Sequence, residues 1–110
     1  MDIITAVVNE ITDTVSVEKI FLISKKLDVA GQLQSFKLCV IINAESVSQA
    51  EEKLYMQIDC DISFDLVLYK TDEWDKLVND IGSFAWKIFS SGSLLYDTNT
   101  TENAGGVANE

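Results

Sequence analysis

The chain has 110 residues, 47% of them hydrophobic and 9% aromatic, which fits one domain able to bury a core without disulfides or metals. Its 18 acidic residues stand against 8 lysines for a formal charge of −10, and it contains neither arginine nor histidine. That balance argues against direct nucleic-acid binding, which needs a cationic stripe, and against a histidine-based zinc or nucleophile site; a basic protein partner is the easier electrostatic match.

No apolar run approaches the roughly 20 residues of a membrane span, so no membrane partner is expected. The start Met1-Asp2-Ile3 lacks the positive charge that opens a secretory signal, and a cytoplasmic protein is expected. Cys39 lies in an apolar run and Cys60 sits beside two aspartates, with no Cys-x-x-Cys; a buried thiol and a loop thiol are expected, not a disulfide.

Over 2–15, Ile3, Ile4, Val7, Val8 and Ile11 share a helical face, the pattern of an amphipathic helix docked on a sheet. A short apolar strand follows at 17–23. From 24 to 35 two lysines, Asp28, Gly31 and two glutamines break the pattern and predict an irregular connection with a helical turn. Strand 36–42, apolar on both faces through Leu38-Cys39-Val40-Ile41-Ile42, belongs in the centre of the sheet. Helical spacing returns over 43–58 with Val47, Ala50, Leu54 and Ile58, opened by the capping form Ser46-Val47-Ser48-Gln49.

The stretch 62–69 alternates as a strand, with Ile62, Phe64, Leu66 and Leu68 on one face and Ser63, Asp65, Val67 and Tyr69 on the other. Asp65 is thus mid-strand, where a carboxylate is paired, metal-bound or at an open sheet edge, because burying it alone costs several kcal/mol. Thr71-Asp72-Glu73 starts the next helix, a capping hydroxyl with two carboxylates at the positive end of the helix dipole. Gly82-Ser83 divides it, Phe84, Ala85, Ile88 and Phe89 resume the apolar spacing, and Gly92 fits a left-handed stop. Leu94-Leu95-Tyr96 closes as a short strand, and a disordered tail is expected over 98–110. The aromatic set Trp74, Phe84, Trp86 and Phe89 reads mostly as core, with Trp86 one step off the stripe and suited to an interface. The fold class is α/β (α+β): a domain over 1–97 with a small mixed β-sheet of about four strands and helices packed on it.

The phrases Phe64-Asp65-Leu66-Val67-Leu68-Tyr69, Thr71-Asp72-Glu73-Trp74 and Gly82-Ser83-Phe84-Ala85-Trp86-Lys87-Ile88-Phe89, closing on Gly92-Ser93-Leu94-Leu95-Tyr96, stand in a telling order. With Glu18-Lys19-Ile20-Phe21-Leu22 and the N-terminal helix, the likeness extends over about residues 1–97. In this order the chain resembles the minimal nucleotidyltransferase family of the DNA polymerase beta-like superfamily. The resemblance implies a nucleotidyltransferase-like fold, a Gly-Ser pair after the first strand that cradles phosphates, and an Asp-x-Asp plus a third aspartate holding Mg2+ for transfer from an NTP. It also implies a protein partner, since relatives pair as antitoxin with a HEPN-domain toxin.

At the family-equivalent positions the chain departs from that pattern. Ser24-Lys25 replaces Gly-Ser, Ser35-Phe36-Lys37 replaces Asp-x-Asp, and a one-residue shift to Phe36-Lys37-Leu38 restores no carboxylate. Asp65 alone survives, a vestige of the catalytic set. One carboxylate cannot assemble a magnesium pair, so no metal and no cofactor is expected. Lys37 either reaches the vacated space and pairs with Asp65, or points to solvent while water or backbone N–H groups hold the carboxylate. Asp59 and Asp61 flank a turn without calcium-loop spacing and read as a solvated loop, and Lys25-Lys26, which could touch a phosphate as point charges, reads as an exposed pair of a soluble surface.

The expectation is therefore a catalytically inactive nucleotidyltransferase-like domain that binds protein, antitoxin-like, or forms a homo-oligomer. The alternative is a weak Mg-nucleotide-binding protein or transferase rebuilt around Asp65 with Ser24, Ser35 or Asp28. A third reading keeps only a small regulatory α/β domain, favoured if the Asp65 strand is a sheet edge without a cleft in front of it.

Overall fold

A computed structural model describes residues 2–98. Helix α1, Ile3–Thr14, begins where the Asp2 carboxylate accepts the backbone N–H of Thr5 at 2.8 Å and buries Val7, Val8 and Ile11. Strand β1, Val17–Leu27, runs straight into a hairpin with β2, Leu33–Ile42. The irregular connection expected over 24–35 is therefore mostly strand. Its residues are polar because no helix covers that end of the hairpin, not because the backbone leaves the sheet. The turn itself is short: the Asp28 carboxylate accepts the N–H groups of Ala30 and Gln32, both at 2.9 Å, and Gly31 takes a left-handed φ of 84°.

Helix α2, Val47–Gln57, starts on Ser46, whose hydroxyl accepts the N–H of Gln49 at 3.2 Å. It is the crossover that lets β3, Ser63–Lys70, pair parallel to β2. Helix α3, Thr71–Leu77, follows at once; Lys70, not Thr71, is its N-cap, and Glu73 reaches back to the Lys70 N–H at 3.4 Å. Gly82 at φ 93° ends that helical stretch as the sequence suggested. Ser83 then joins the two pieces, donating to the Leu77 carbonyl at 2.7 Å and accepting the Trp86 N–H at 3.0 Å at the start of α4, Phe84–Ser91.

The last strand, β4, Ser93–Asp97, pairs antiparallel with β1, so the mixed sheet runs β3-β2-β1-β4. Beyond it the Thr98 hydroxyl donates to the Val17 carbonyl at 2.8 Å; the rest of the expected tail lies outside the described residues. Gly92 is not the left-handed stop expected, since its φ is −77°. It is glycine for room: an added Cβ would meet the Ile88 carbonyl at 2.7 Å and the Leu22 carbonyl at 3.3 Å.

Each face of the sheet carries two helices. Ile20, Leu38, Val40, Ile42 and Leu66 pack under α1 and α2, while Phe21, Cys39 and Ile41 pack under α3 and α4. Central β2 is buried on both faces from Leu38 to Ile42, as its unbroken apolar run requires. Each such Leu or Ile contributes about 1.5–3 kcal/mol by leaving water. The aromatic set divides differently from expectation. Trp74 is buried against Phe21, and Trp86, off the stripe, is half-buried, but Phe84 and Phe89 are 48% and 57% exposed. Short α4 meets the sheet through Ala85 and Ile88, a contact line narrower than the apolar stripe written in the sequence.

Candidate functional site

The register of the sheet builds the site. Side chains directly paired across strands share a face, so Ser24, Lys37 and Asp65 form one row across β1, β2 and β3. Lys26, Ser35 and Ser63 form the next. A bulge between Leu22 and Ser24 makes this possible. Phe21 pairs with Cys39 and Ser24 with Lys37, so the extra Ile23 brings Ser24 onto the face that already carries Phe21. Without it strict alternation would send Ser24 to the opposite side.

Helices α3 and α4 cover this face over Phe21, Ile23, Cys39, Ile41 and Tyr69. The six polar residues lie past their reach and floor an open cleft of about 300 Å³, with Lys25 at its rim. Phe36 and Phe64, between the two rows, turn to the other face, where they stack at 5.8 Å and Tyr55 continues the stack at 5.5 Å. The Tyr55 hydroxyl accepts the Leu66 N–H at 2.8 Å and so caps the outer side of β3. Burial first, then the charges of Asp65 and Glu51, raises the Tyr55 phenol above its ordinary pKa, against the lowering effect of that N–H.

Ser24, Lys25, Ser35, Lys37 and Asp65, the five positions singled out from the sequence, all line this cleft. Asp65 is mid-strand as expected and exposed on edge strand β3, the open-edge case of the three. Its partner is not Lys37 by direct contact: among the described residues the ion pair within 4.0 Å is Glu18–Lys19. Asp28 takes no part, because both its bonds close the hairpin turn. Asp59 and Asp61 lie elsewhere, in a groove beside Ile3 and Glu10 of α1. One cleft residue carried no weight in the sequence: Ser63, two positions before Asp65 and thus on its face. Lys26 was visible there only as half of an exposed lysine pair, because reading 24–35 as a loop hid which face of the sheet it shares.

The donor set does not fit a magnesium pair. Hard divalent cations need several converging oxygen anions, and here one carboxylate faces three ammonium groups. Among the described residues no group of three or more carboxylate, thiol or imidazole side chains is placed to hold a metal. Nor do Ser24 and Lys25 form a phosphate-cradling turn, since both sit inside β1 with their backbones paired to β2. Cys39 is a buried thiol and Cys60 a half-buried one, both free, as expected. Among the described residues no helix is long and apolar enough to cross a membrane.

Comparison of the chain with protein-family models, with curated proteins and with solved structures finds no match.

Proposed function

We propose that this protein is a catalytically inactive nucleotidyltransferase-like domain, working in the cytoplasm as a protein-binding module of antitoxin type. One observation carries the reading. The positions where the resembled family concentrates carboxylates meet in one cleft, yet supply a single carboxylate, Asp65, beside Lys37. Metal-dependent nucleotidyl transfer draws its rate from positioning and from neutralising phosphate charge with Mg2+, and a lone exposed carboxylate cannot do either. The exposed aromatic rings of Phe84 and Phe89 on α4, with exposed Ile81 just before it, favour a protein surface as what this domain binds. The resemblance adds a HEPN-domain protein as the partner, and a second copy of the chain is the simpler one.

The test has two arms. Full-length protein incubated with Mg2+ and labelled ATP or GTP should transfer no label, to itself or to a co-expressed HEPN-domain protein. The same pair should co-elute in size-exclusion chromatography, and Phe84→Ser with Phe89→Ser should separate them. Mg2+-dependent transfer lost in Asp65→Ala would instead establish the alternative, a transferase rebuilt around that carboxylate.

A further inference from the structure

We propose that the cleft over Ser24, Lys26, Ser35, Lys37, Ser63 and Asp65 is a metal-independent anion site for a doubly charged phosphate group. The inference rests on the reading that no magnesium pair is held there, and concerns what the same cleft takes instead. Three of the chain's lysines line it against one carboxylate, in a protein whose formal charge is −10. Solubility does not explain that gathering, because an acidic chain gains nothing by crowding its few cations together. A concave surface of one sign concentrates ions of the other, and in this cleft three lysines outnumber one carboxylate.

The geometry suits a compact oxyanion. Neighbouring strands lie about 4.8 Å apart and alternate residues along a strand about 6.7 Å apart. Lys26 on β1 and Lys37 on β2 therefore stand on one diagonal of the array, with Ser24 and Ser35 on the other. Their flexible stems let two ammonium groups close on one point above the hydroxyls. Each ammonium offers three donors and each hydroxyl one, which matches the acceptors of a phosphate dianion and balances its two charges. The floor offers no aromatic face for a base, since Phe36 and Phe64 stack on the other side of the sheet. The site thus reads the phosphate and not what the phosphate is attached to. Asp65 stands one strand from Lys37 and opposes the ligand's charge, so it limits affinity.

Isothermal titration of the full-length protein with inorganic phosphate and with ATP, both in EDTA at low salt, tests this. Binding without Mg2+ is expected, weakened roughly tenfold or more in Lys26→Gln and in Lys37→Gln, as the loss of one charge-assisted hydrogen bond requires. Asp65→Asn should tighten it, and added Mg2+ should weaken ATP by masking its charge. Phosphate bound as tightly as ATP identifies free phosphate as the ligand; tighter ATP identifies a nucleotide's phosphate chain. Exposed Lys26→Gln guards against a Lys37 variant that folds poorly. No binding of either anion, or binding untouched in both lysine variants, overturns the site and leaves the lysines as a solvated polar face of the sheet, with the protein-binding reading intact. Binding that requires Mg2+ and is lost in Asp65→Asn overturns both.

Discussion

Lys37 and Asp65 are direct register partners on adjacent parallel strands, yet their charged groups do not come within 4.0 Å of each other. The carboxylate is exposed on an edge strand, where water satisfies it without an ion pair. The coupling energy from a double-mutant cycle of Lys37→Met and Asp65→Asn, read by urea unfolding, should therefore be at most about 0.5 kcal/mol. A coupling above about 1 kcal/mol would mean that the ammonium closes on the carboxylate in solution.

Tyr55 performs two functions on the outer edge of β3, and they separate by mutation. Tyr55→Phe keeps the stack on Phe64 and removes only the acceptor for the Leu66 N–H, a loss of about 0.5–1.5 kcal/mol. Tyr55→Ala removes the ring as well and should cost about 0.5–1.5 kcal/mol more. Hydrogen exchange at the Leu66 amide should quicken in both variants, whereas an unchanged rate in Tyr55→Phe would show that water already serves that amide.

Gly82 and Gly92 are both required, for opposite reasons, and the pattern of replacements tells them apart. At Gly82 the backbone is left-handed and the surroundings are open, so Ala should cost about 1–2 kcal/mol and Asn less. At Gly92 the backbone is ordinary but the Ile88 carbonyl occupies the space of a Cβ, so Ala should cost about 1–3 kcal/mol and Asn more. Thermal midpoints of the four variants check the reversal.

What could be seen in the sequence followed periodicity. The order of elements, central β2, the Ser46 cap and the break at Gly82 were legible because hydrophobic spacing or a capping residue marks each. The hairpin over 24–35 was not, since strand alternation shows only where one face is buried, and neither face of Ser24 to Lys26 is covered. The bulge at Ile23 has no local signature, so the row Ser24, Lys37, Asp65 emerges only once the register is known. Gly92 was legible as glycine but not for its reason, because how closely the Ile88 and Leu22 carbonyls crowd the space of a Cβ depends on how the end of α4 is seated on β1, which spacing does not show.

Cys39 gives the stability of this fold a pH dependence. It sits fully buried between Phe21 and Ile41 under α3 and α4, and burial pushes its thiol from 9.0 up to about 12. The folded state therefore holds the proton more tightly than the unfolded state does. The contribution is fully present below pH 9.0 and is lost as pH rises from there toward 12, on the order of 4 kcal/mol over the whole window. Tyr69, raised by burial first and then by its neighbours Cys39 and Glu73, acts in the same direction. Urea midpoints measured from pH 7 to pH 10.5 should hold level and then fall above about pH 9. Cys39→Ala should start lower at neutral pH, through the lost packing, yet decline less steeply. Alkylation of the native protein at pH 8 should label Cys60 and leave Cys39 untouched until urea unfolds the chain; prompt labelling of both would mean that the α3 and α4 cover opens far more readily than its packing on Phe21 and Ile41 implies.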